Sequence, residues 1–300
     1  MIKYFLLLFF AIASFAKTVN FTTDEISIIK KAHFKPNILK IYNTPFKSYK
    51  TDASWIRYKK HILTKKNYKL AKQFMSDYHD TLQQVEDIYG VQKEVITAFL
   101  AIESRFCKVT GNTNILDALT TLAFNKNRMQ DFFRYELKQF LNLCKVRGWD
   151  PLNQFGSFAG AMGCVQQLPS IQLKYGVDFD EDGEINPYSL LDSMASIANF
   201  LASNGWDKNS LIAIKAKFDN KAKKLKVGYN KVYKLSYLKK HHIYPVKKFP
   251  QNRASLLKLY LKGKHQLWLG AKNMRIITKY NHSTNYGMGI FKFSQALKQK

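Results

Sequence analysis

Apolar residues recur every three or four positions through most of the chain, which is the spacing of one face of an α-helix. Four such helices are predicted, over 67–89, 130–146, 190–204 and 286–297. Gly90 interrupts the pattern after the first helix, and Asn204 followed by Gly205 is a typical helix C-cap. Residues 207–265 are rich in lysine, and for them we expect helices and a short hairpin.

A further helix, beginning at Gln92, differs from these because it is apolar nearly all round. Its apolar residues are Val95, Ile96, Phe99, Leu100 and Ile102. Such a helix is typical of the buried centre of a domain, where every face meets other apolar groups. Glu103 lies near its end.

Glu103 is the candidate for catalysis. A helix brings residues three, four and seven positions apart to one face, and every such neighbour of Glu103 is apolar. These neighbours are Ile96, Phe99, Leu100, Phe106 and Cys107. Desolvation there is expected to raise the pKa of the carboxyl group, so that it can hold the proton that a general acid for glycosidic cleavage needs. An ion pair with Arg105 or Arg128 would explain the position equally well.

A second carboxylate is the usual partner in glycosidases, and the sequence offers no clear one. The nearest candidates, Asp117 and Asp131, lie in ordinary helical contexts. A single carboxylate indicates a route in which the substrate assists its own cleavage.

Length and composition predict one compact folded unit, because 46% of the 300 residues are hydrophobic and aromatic residues occur throughout. Lysine and arginine number 48 against 21 acidic residues, and the net charge of +27 implies a polyanionic polymer or surface nearby. A lysine-rich coding bias would look the same. Since no zinc-finger spacing, RNP-type motif or heptad-linked basic region accompanies the lysines, we expect no nucleic-acid partner.

Residues 1–16 resemble a signal peptide, with a basic start at Lys3, an apolar run too short to span a bilayer with ease, and small residues at the expected cleavage point. A retained N-terminal anchor is the alternative. No cysteine lies near the cleavage point, which argues against a lipid anchor. We expect a protein exported to the periplasm, without a stable membrane anchor.

An acidic loop interrupts the basic chain and repeats the start of a calcium-binding loop. It has carboxylates at positions one, three and five, glycine at six, and at seven a residue whose backbone carbonyl would face the ion. These are Asp178, Asp180, Asp182, Gly183 and Glu184. Position twelve is Ser189 instead of the usual glutamate. A solvated acidic turn without an ion is the alternative.

Four segments in the same order resemble the lytic murein transglycosylase B family: 101–106 (AIESRF), 115–125 (ILDALTTLAFN), 156–163 (GSFAGAMG) and 277–281 (ITKYN). The resemblance runs from about 54 to 297. It implies a mainly α fold, with an α+β lysozyme-like core at about 90–206, flanking helical parts and a very small sheet. The catalytic region would then span 17–300.

The resemblance also implies a reaction that needs no cofactor. Glu103 would protonate the oxygen between N-acetylmuramic acid and N-acetylglucosamine and then deprotonate the C6 hydroxyl, while the acetamido group of the substrate stabilises the cation. The product is a 1,6-anhydromuramoyl end. Peptidoglycan glycan strands are the implied partner, with cell-wall synthesis proteins as further candidates. A hydrolytic muramidase and a non-catalytic peptidoglycan-binding protein remain the alternatives.

Further site residues are carried over by position. The substrate-binding set is Ser157, Gln166, Tyr280, Asn281, Arg128 and Phe200. A hydroxyl and an amide can orient an acetamido group, an aromatic ring can stack on a sugar, and the fork of Arg128 can meet a peptide carboxylate. For each polar residue the alternative is a satisfied hydrogen bond in the core. In the family the acidic loop closes with a later aspartate, here Asp192, which completes a structural Ca²⁺ or Na⁺ site.

Three positions depart from the family pattern. Phe200 replaces a tyrosine, Cys107 stands where glycine is common, and Cys164 replaces a tyrosine just before Gln166. Because Cys107 and Cys164 flank Glu103 and Gln166, we hypothesise that they form a disulfide. The third cysteine, at position 144, would then be a free thiol.

Overall fold

A computed structural model describes residues 19–43 and 51–298. Its helices are α1 Thr23–Ile29, α2 Pro36–Asn43, α3 Ser54–Ile62, α4 Lys65–Asp77, α5 His79–Tyr89, α6 Lys93–Glu103, α7 Ile115–Phe124, α8 Gln130–Arg147, α9 Pro169–Tyr175, α10 Leu190–Ser203, α11 Leu235–Lys240, α12 Lys272–Tyr280 and α13 Thr284–Leu297. Its strands are β1 Thr113–Asn114, β2 Phe155–Gly156, β3 Ala213–Phe218, β4 Val232–Lys234, β5 Ile243–Pro245, β6 Arg253–Leu261 and β7 Lys264–Gly270.

The helix predicted over 67–89 is two helices, α4 and α5, and that prediction was wrong at one residue. Tyr78 leaves helical geometry with φ −115° and ψ 32°, while its ring stacks on Phe74 at 4.7 Å between centroids. The backbone hydrogen bonds on both sides of the break remain, so the hydrophobic spacing runs through it unchanged.

The other predicted helices are present. Gly90 ends α5 in a left-handed conformation with φ 65°, where the pattern was predicted to break. Gly205 follows α10 with φ 85°, as the C-cap prediction requires. Helix α6 is buried from Val95 to Ile102, which confirms that it is central. Glu103 is its last residue.

The chain divides into two compact units. We call residues 51–102 and 201–298 the sheet unit, and residues 19–43 and 103–200 the site unit. The predicted lysozyme-like core of about 90–206 overlaps most of the site unit.

In the sheet unit, five antiparallel strands lie in the order β4-β6-β7-β3-β5. The β6–β7 hairpin turns at Gly263, with Leu261 opposite Lys264. On one face, Leu256 and Leu269 pack against α11 and the 219–231 loop. On the other, a second core includes residues of α3, α12 and α13. Residues 207–265 thus contain the expected hairpin and a short helix, but strand residues outnumber helical residues there, which the lysine-rich pattern did not predict.

In the site unit, α7 packs on α8, and α8 on α9. A two-stranded ladder pairs β1 with β2, with Thr113 opposite Gly156. Asp117 ties the N-terminal segment to α7, because it accepts a hydrogen bond from the backbone N–H of His33 at 2.7 Å and pairs with the Lys35 ammonium at 3.1 Å.

The predicted signal peptide, residues 1–16, lies outside the described residues. Export of the protein therefore stays a prediction. Within the described residues, no helix combines the length and the apolar character needed to cross a membrane.

Candidate active site

The chain turns sharply just after Glu103. Three successive residues other than glycine, Arg105, Phe106 and Cys107, have φ of 53°, 59° and 65°. The turn is held by Ser104, whose hydroxyl accepts from the backbone N–H of Cys107 at 2.8 Å. A left-handed residue other than glycine costs about 1–3 kcal/mol and persists only where the surroundings impose it, which is common at functional sites.

The turn also corrects one step of the sequence argument. Ile96, Phe99 and Leu100 are fully buried on α6, as expected for neighbours of Glu103. Because α6 ends at Glu103, however, Phe106 and Cys107 do not continue its helical face. The apolar surroundings predicted from i+3 and i+4 spacing therefore hold only on the N-terminal side of Glu103.

A disulfide joins Cys107 to Cys164, with 4.3 Å between their Cα atoms, and this confirms the pairing that we hypothesised. Cys164 lies at the tip of a turn that two backbone hydrogen bonds between Met162 and Gln167 close. The disulfide thus fastens the turn after Glu103 to the turn that carries Gln166. Among the described residues Cys144 is a free, buried thiol, as predicted.

Gln166 makes a second tie between the same two turns. It is left-handed with φ 50° and nearly buried. Its side-chain amide donates to the backbone carbonyls of Thr110 at 2.8 Å and Gly163 at 2.9 Å. Both hydrogen bonds use N–H groups, so the amide oxygen is the part of Gln166 suited to accept from a ligand.

Ser157 is buried in the small-residue segment after β2. Its hydroxyl oxygen accepts from the backbone N–H groups of Ala159 at 3.3 Å and Ala161 at 3.0 Å. With both lone pairs used, the hydroxyl can act toward a ligand only as a donor. Gly163 shows why small residues are needed here: a Cβ at this position would collide with the backbone of Pro187.

Arg128 and Phe200 are placed differently from each other. Arg128 is exposed just before α8, where a charged ligand can reach it. Phe200 is 4% exposed, and its ring packs edge-on against Tyr175 at 5.0 Å. Phe200 therefore offers little surface to a sugar, while its substrate role stays a prediction.

Tyr280 and Asn281 belong to the sheet unit, at the end of α12. Tyr280 is buried edge-on against Phe99, with 5.2 Å between ring centroids. Asn281 is buried too, and its amide oxygen has no hydrogen-bond partner among the described residues. A buried acceptor of this kind needs a water or a ligand donor to satisfy it.

The two candidate partner carboxylates are excluded from an obvious catalytic role. Asp117 is committed to Lys35 and the backbone of His33. Asp131 is exposed in the first turn of α8. The expectation of a single catalytic carboxylate is compatible with both placements.

Glu136 is a buried carboxyl group that the sequence argument missed. It is fully buried in α8, and desolvation raises its pKa to about 7, although hydrogen bonds from Ser170 favour the charged form. The Ser170 hydroxyl donates to it at 2.6 Å and the Ser170 backbone N–H at 3.1 Å, which ties the start of α9 to α8. Phe133 and Phe140, three and four residues away, are the signal that could have revealed it.

The acidic loop gathers three carboxylates. Asp178, Asp180 and Asp192 offer oxygens that all lie within 4.8 Å of one another. Burial raises the pKa of Asp192 and the charges of its two neighbours raise it further, whereas backbone hydrogen bonds from Phe179 and Asn186 lower it. Asp182 and Glu184 were also predicted ligands, and their side chains are exposed outside this cluster.

Comparisons with known proteins identify the family. The model of the transglycosylase SLT domain family matches residues 12–295. The chain belongs to this family. This transglycosylase is 38% identical over 247 residues to membrane-bound lytic murein transglycosylase B of Escherichia coli (strain K12), which covers 82% of the chain and 68% of the relative.

Solved structures match this transglycosylase as well. The lytic transglycosylase SLT35 of Escherichia coli, in complex with calcium, gives a TM-score of 0.83 at 36% identity, over 90% of this chain and 85% of that one. The soluble lytic transglycosylase SltB1 of Pseudomonas aeruginosa gives 0.81 at 26% identity, over 91% and 92%. The predicted family, the mainly helical lysozyme-like fold and the class of enzyme are confirmed.

Removal of the disulfide should destabilise this transglycosylase. The two cysteines are 57 positions apart in sequence, so the bond restricts a long loop of the unfolded chain, and replacing both with alanine should cost about 2–4 kcal/mol of unfolding free energy. Urea denaturation with and without dithiothreitol measures this. The reductant should destabilise the wild type and leave the double variant unchanged.

Cys144→Ala is the matched control for the disulfide. It deletes a buried thiol from α8, should cost about 1 kcal/mol of packing, and should leave the effect of the reductant intact. Wild-type stability that does not respond to dithiothreitol, together with free thiols at both cysteines in peptide mapping, would rule out the bond.

The buried Glu136 should make stability depend on pH. Its pKa is about 7 in the folded chain against an ordinary value of 4.5, so between these values the folded state binds more protons than the unfolded state. The unfolding free energy should therefore fall as pH rises through this window, by about 3 kcal/mol in total.

Glu136→Gln tests this linkage by urea denaturation at pH 5 and pH 7.5. The substitution removes the titrating group, so the loss of stability between the two pH values should largely disappear, whereas Glu94→Gln on α6 should keep it. If Glu136→Gln retained the full pH dependence, another group would be responsible.

Proposed function

We propose that this protein is a peptidoglycan lytic transglycosylase with Glu103 as its single acid/base. It cleaves the β-1,4 bond between N-acetylmuramic acid and N-acetylglucosamine and forms 1,6-anhydromuramoyl ends. The observation that carries the proposal is the placement of Glu103: the last residue of a buried apolar helix, followed by a left-handed turn that a disulfide fastens beside Gln166. The close likeness to lytic murein transglycosylases supports the substrate class.

The reaction proceeds in two proton transfers through Glu103. The protonated carboxyl group gives its proton to the glycosidic oxygen as the bond to C1 of N-acetylmuramic acid breaks, and the N-acetylglucosamine portion leaves as an alcohol. The carbonyl oxygen of the 2-acetamido group stabilises the positive charge at C1. The carboxylate then takes the proton of the C6 hydroxyl as the C6 oxygen bonds to C1. Glu103 ends protonated, and no water is consumed.

Ser157 and Gln166 have complementary roles toward the acetamido group. The Ser157 hydroxyl can only donate, and an acetamido carbonyl oxygen needs a donor. The oxygen of Gln166 can only accept, and an acetamido N–H needs an acceptor. Together the two side chains suit both ends of one amide and can orient its oxygen toward C1.

The remaining predicted contacts play smaller parts. Arg128, exposed beside the start of α8, suits a carboxylate of a stem peptide. The amide oxygen of Asn281 suits a sugar hydroxyl, with Tyr280 holding the end of α12 by its packing on Phe99. Phe200 shapes the site from the core.

The acidic loop is proposed to hold a structural calcium ion, with sodium as a substitute. Three clustered carboxylates repel one another unless a cation lies among them. Asp178 carries a buried carboxylate oxygen without a hydrogen-bond partner among the described residues, as a metal ligand would. Gly183 makes the turn with φ 89°, as position six requires. The SLT35 structure in complex with calcium supports the choice of ion.

Glu103→Gln should abolish the digestion of purified sacculi, with a loss of roughly a thousandfold or more in rate, because the amide cannot transfer the proton. Glu94→Gln makes the same change at the opposite end of α6 and should leave the rate near that of the wild type. Glu136→Gln should also retain activity, since Ser170 explains its position. Full activity in Glu103→Gln would refute the assignment.

The products decide between the proposed reaction and a hydrolytic muramidase. Mass spectrometry of the released muropeptides should show the anhydro form. Products heavier by one water would identify a hydrolase and exclude the proposed transglycosylase reaction.

Calcium should raise the midpoint of thermal unfolding by roughly 5 °C at concentrations well above its dissociation constant, because it binds only the folded loop. Asp180→Asn, an exposed member of the cluster, should remove this response, whereas Glu181→Gln in the same loop should keep it. Sodium at equal ionic strength shows whether it substitutes. A midpoint that calcium leaves unchanged would mean a solvated turn without a structural ion.

A further inference from the structure

The positive charge of the chain is concentrated in one segment. Residues 207–265 contain sixteen lysines and one arginine but only two aspartates, which amounts to +15 of the net +27 in about a fifth of the sequence. A lysine-rich coding bias would add lysines along the whole chain and would not remove acidic residues from one part of it. The catalytic proposal uses none of this charge.

Five of these sixteen lysines line a cleft in the sheet unit, which we call the lysine cleft. Its floor is the end of one sheet face, formed by Phe218 of β3, Lys258 and Tyr260 of β6, and His265 of β7. Its wall is the loop 219–231. The volume is about 680 Å³, within the range of sites that hold a small ligand.

The floor is aromatic and accessible. The rings of Phe218 and His265 lie parallel, 5.4 Å apart with 7° between their planes, and Phe218 is 44% exposed. Burial and the charge of Lys258 both lower the pKa of His265, so its ring is neutral at neutral pH. Exposed flat rings of this kind suit the apolar face of a sugar or a peptide segment.

The wall is cationic. Lys223, Lys224, Lys226 and Lys231 are exposed around the cleft. Lys258 lies over the Tyr260 ring at 5.0 Å from its centroid and adds a fifth cation. One carboxylate, Asp219, also lines the cleft, and a hydrogen bond at 2.9 Å joins it to the His242 ring. Five lysines against one carboxylate leave an excess of positive charge that a ligand can meet.

We propose that the lysine cleft is an accessory binding site for the stem peptides of peptidoglycan, whose carboxylates pair with the lysines while the adjoining apolar groups pack on the aromatic floor. The inference rests on the proposed function for its substrate class. A concave site with an aromatic floor suits a short anionic segment better than a membrane, which needs a flat or convex basic face. Flexible lysines suit scattered carboxylates, whereas phosphate recognition usually employs the arginine fork.

Sedimentation with purified sacculi tests the proposal. The full-length Glu103→Gln protein is used so that digestion does not obscure binding. In that background, Lys223→Ala/Lys224→Ala/Lys226→Ala should bind sacculi about tenfold more weakly at physiological salt, since three exposed charge pairs are lost. The control Lys239→Ala/Lys240→Ala/Lys247→Ala removes the same charge from exposed positions outside the cleft and should bind within about twofold of the parent.

A second binding experiment uses glycan strands from which the stem peptides have been removed. On them the cleft variant should bind as well as the parent, because the carboxylates are absent. Equal weakening by both triple variants would mean nonspecific charge attraction, and weakening on stripped strands would exclude stem peptides. Cleft-dependent binding to anionic vesicles or DNA, without cleft-dependent binding to sacculi, would assign the cleft to another partner. Each of these results overturns the proposal.

A separate measurement tests the proposed function. Cleavage of a short peptide-free glycan is measured with the active enzyme, and the cleft variant should turn it over at the wild-type rate. If the wild type gave no anhydro product, the catalytic proposal would fall, while the sedimentation result would still report whether the lysine cleft binds peptidoglycan.

Discussion

The burial of α6 is the constraint on which the candidate site depends. A helix that is apolar on every side has its position fixed by packing, and changes of even one methylene in such surroundings are costly. Glu103, the last residue of α6, is therefore held in a well-defined position. A carboxyl group at this end is held by a rigid element and is partly exposed beside the turn, and a general acid needs both a fixed position and access to its substrate.

The turn after Glu103 costs conformational free energy, and the bonds that hold it explain how it persists. Three left-handed residues in a row would relax if the segment were free to move. The disulfide from Cys107 and the hydrogen bond from the Gln166 amide to the Thr110 carbonyl hold this segment against the turn at 162–167. One tie is covalent and the other is polar, so the segment keeps partial support when either is lost. Because Gln166 is also the proposed acceptor for the acetamido group, support and substrate contact come from one side chain.

The sequence predicted what depends on local spacing or on several segments taken together. The buried α6, the caps at Gly90 and Gly205 and the family were all recoverable in this way. The break at Tyr78 was not, because the hydrophobic spacing continues through it. The turn at 105–107 was not, because arginine, phenylalanine and cysteine rarely adopt left-handed geometry and the pattern alone continues the helix. The short strands β3 to β5 were not predicted, because three to six residues are too few to show a clear alternation of apolar and polar positions. Their lysines obscured the alternation further.

Glu136 shows why a buried carboxyl group alone does not identify a catalytic one. Periodicity places it among phenylalanines, as it places Glu103 beside Phe99, and burial raises the pKa of Glu136 into the range useful for acid catalysis. The two residues differ in their structural surroundings. Glu136 lies within α8 and accepts both hydrogen bonds that Ser170 offers, which completes the join between α8 and α9. Glu103 lies where a helix stops, beside a strained and fastened turn. A raised pKa thus indicates burial. The end of α6 at Glu103, followed by the left-handed turn, is what distinguishes this candidate acid from the structural carboxyl group of Glu136.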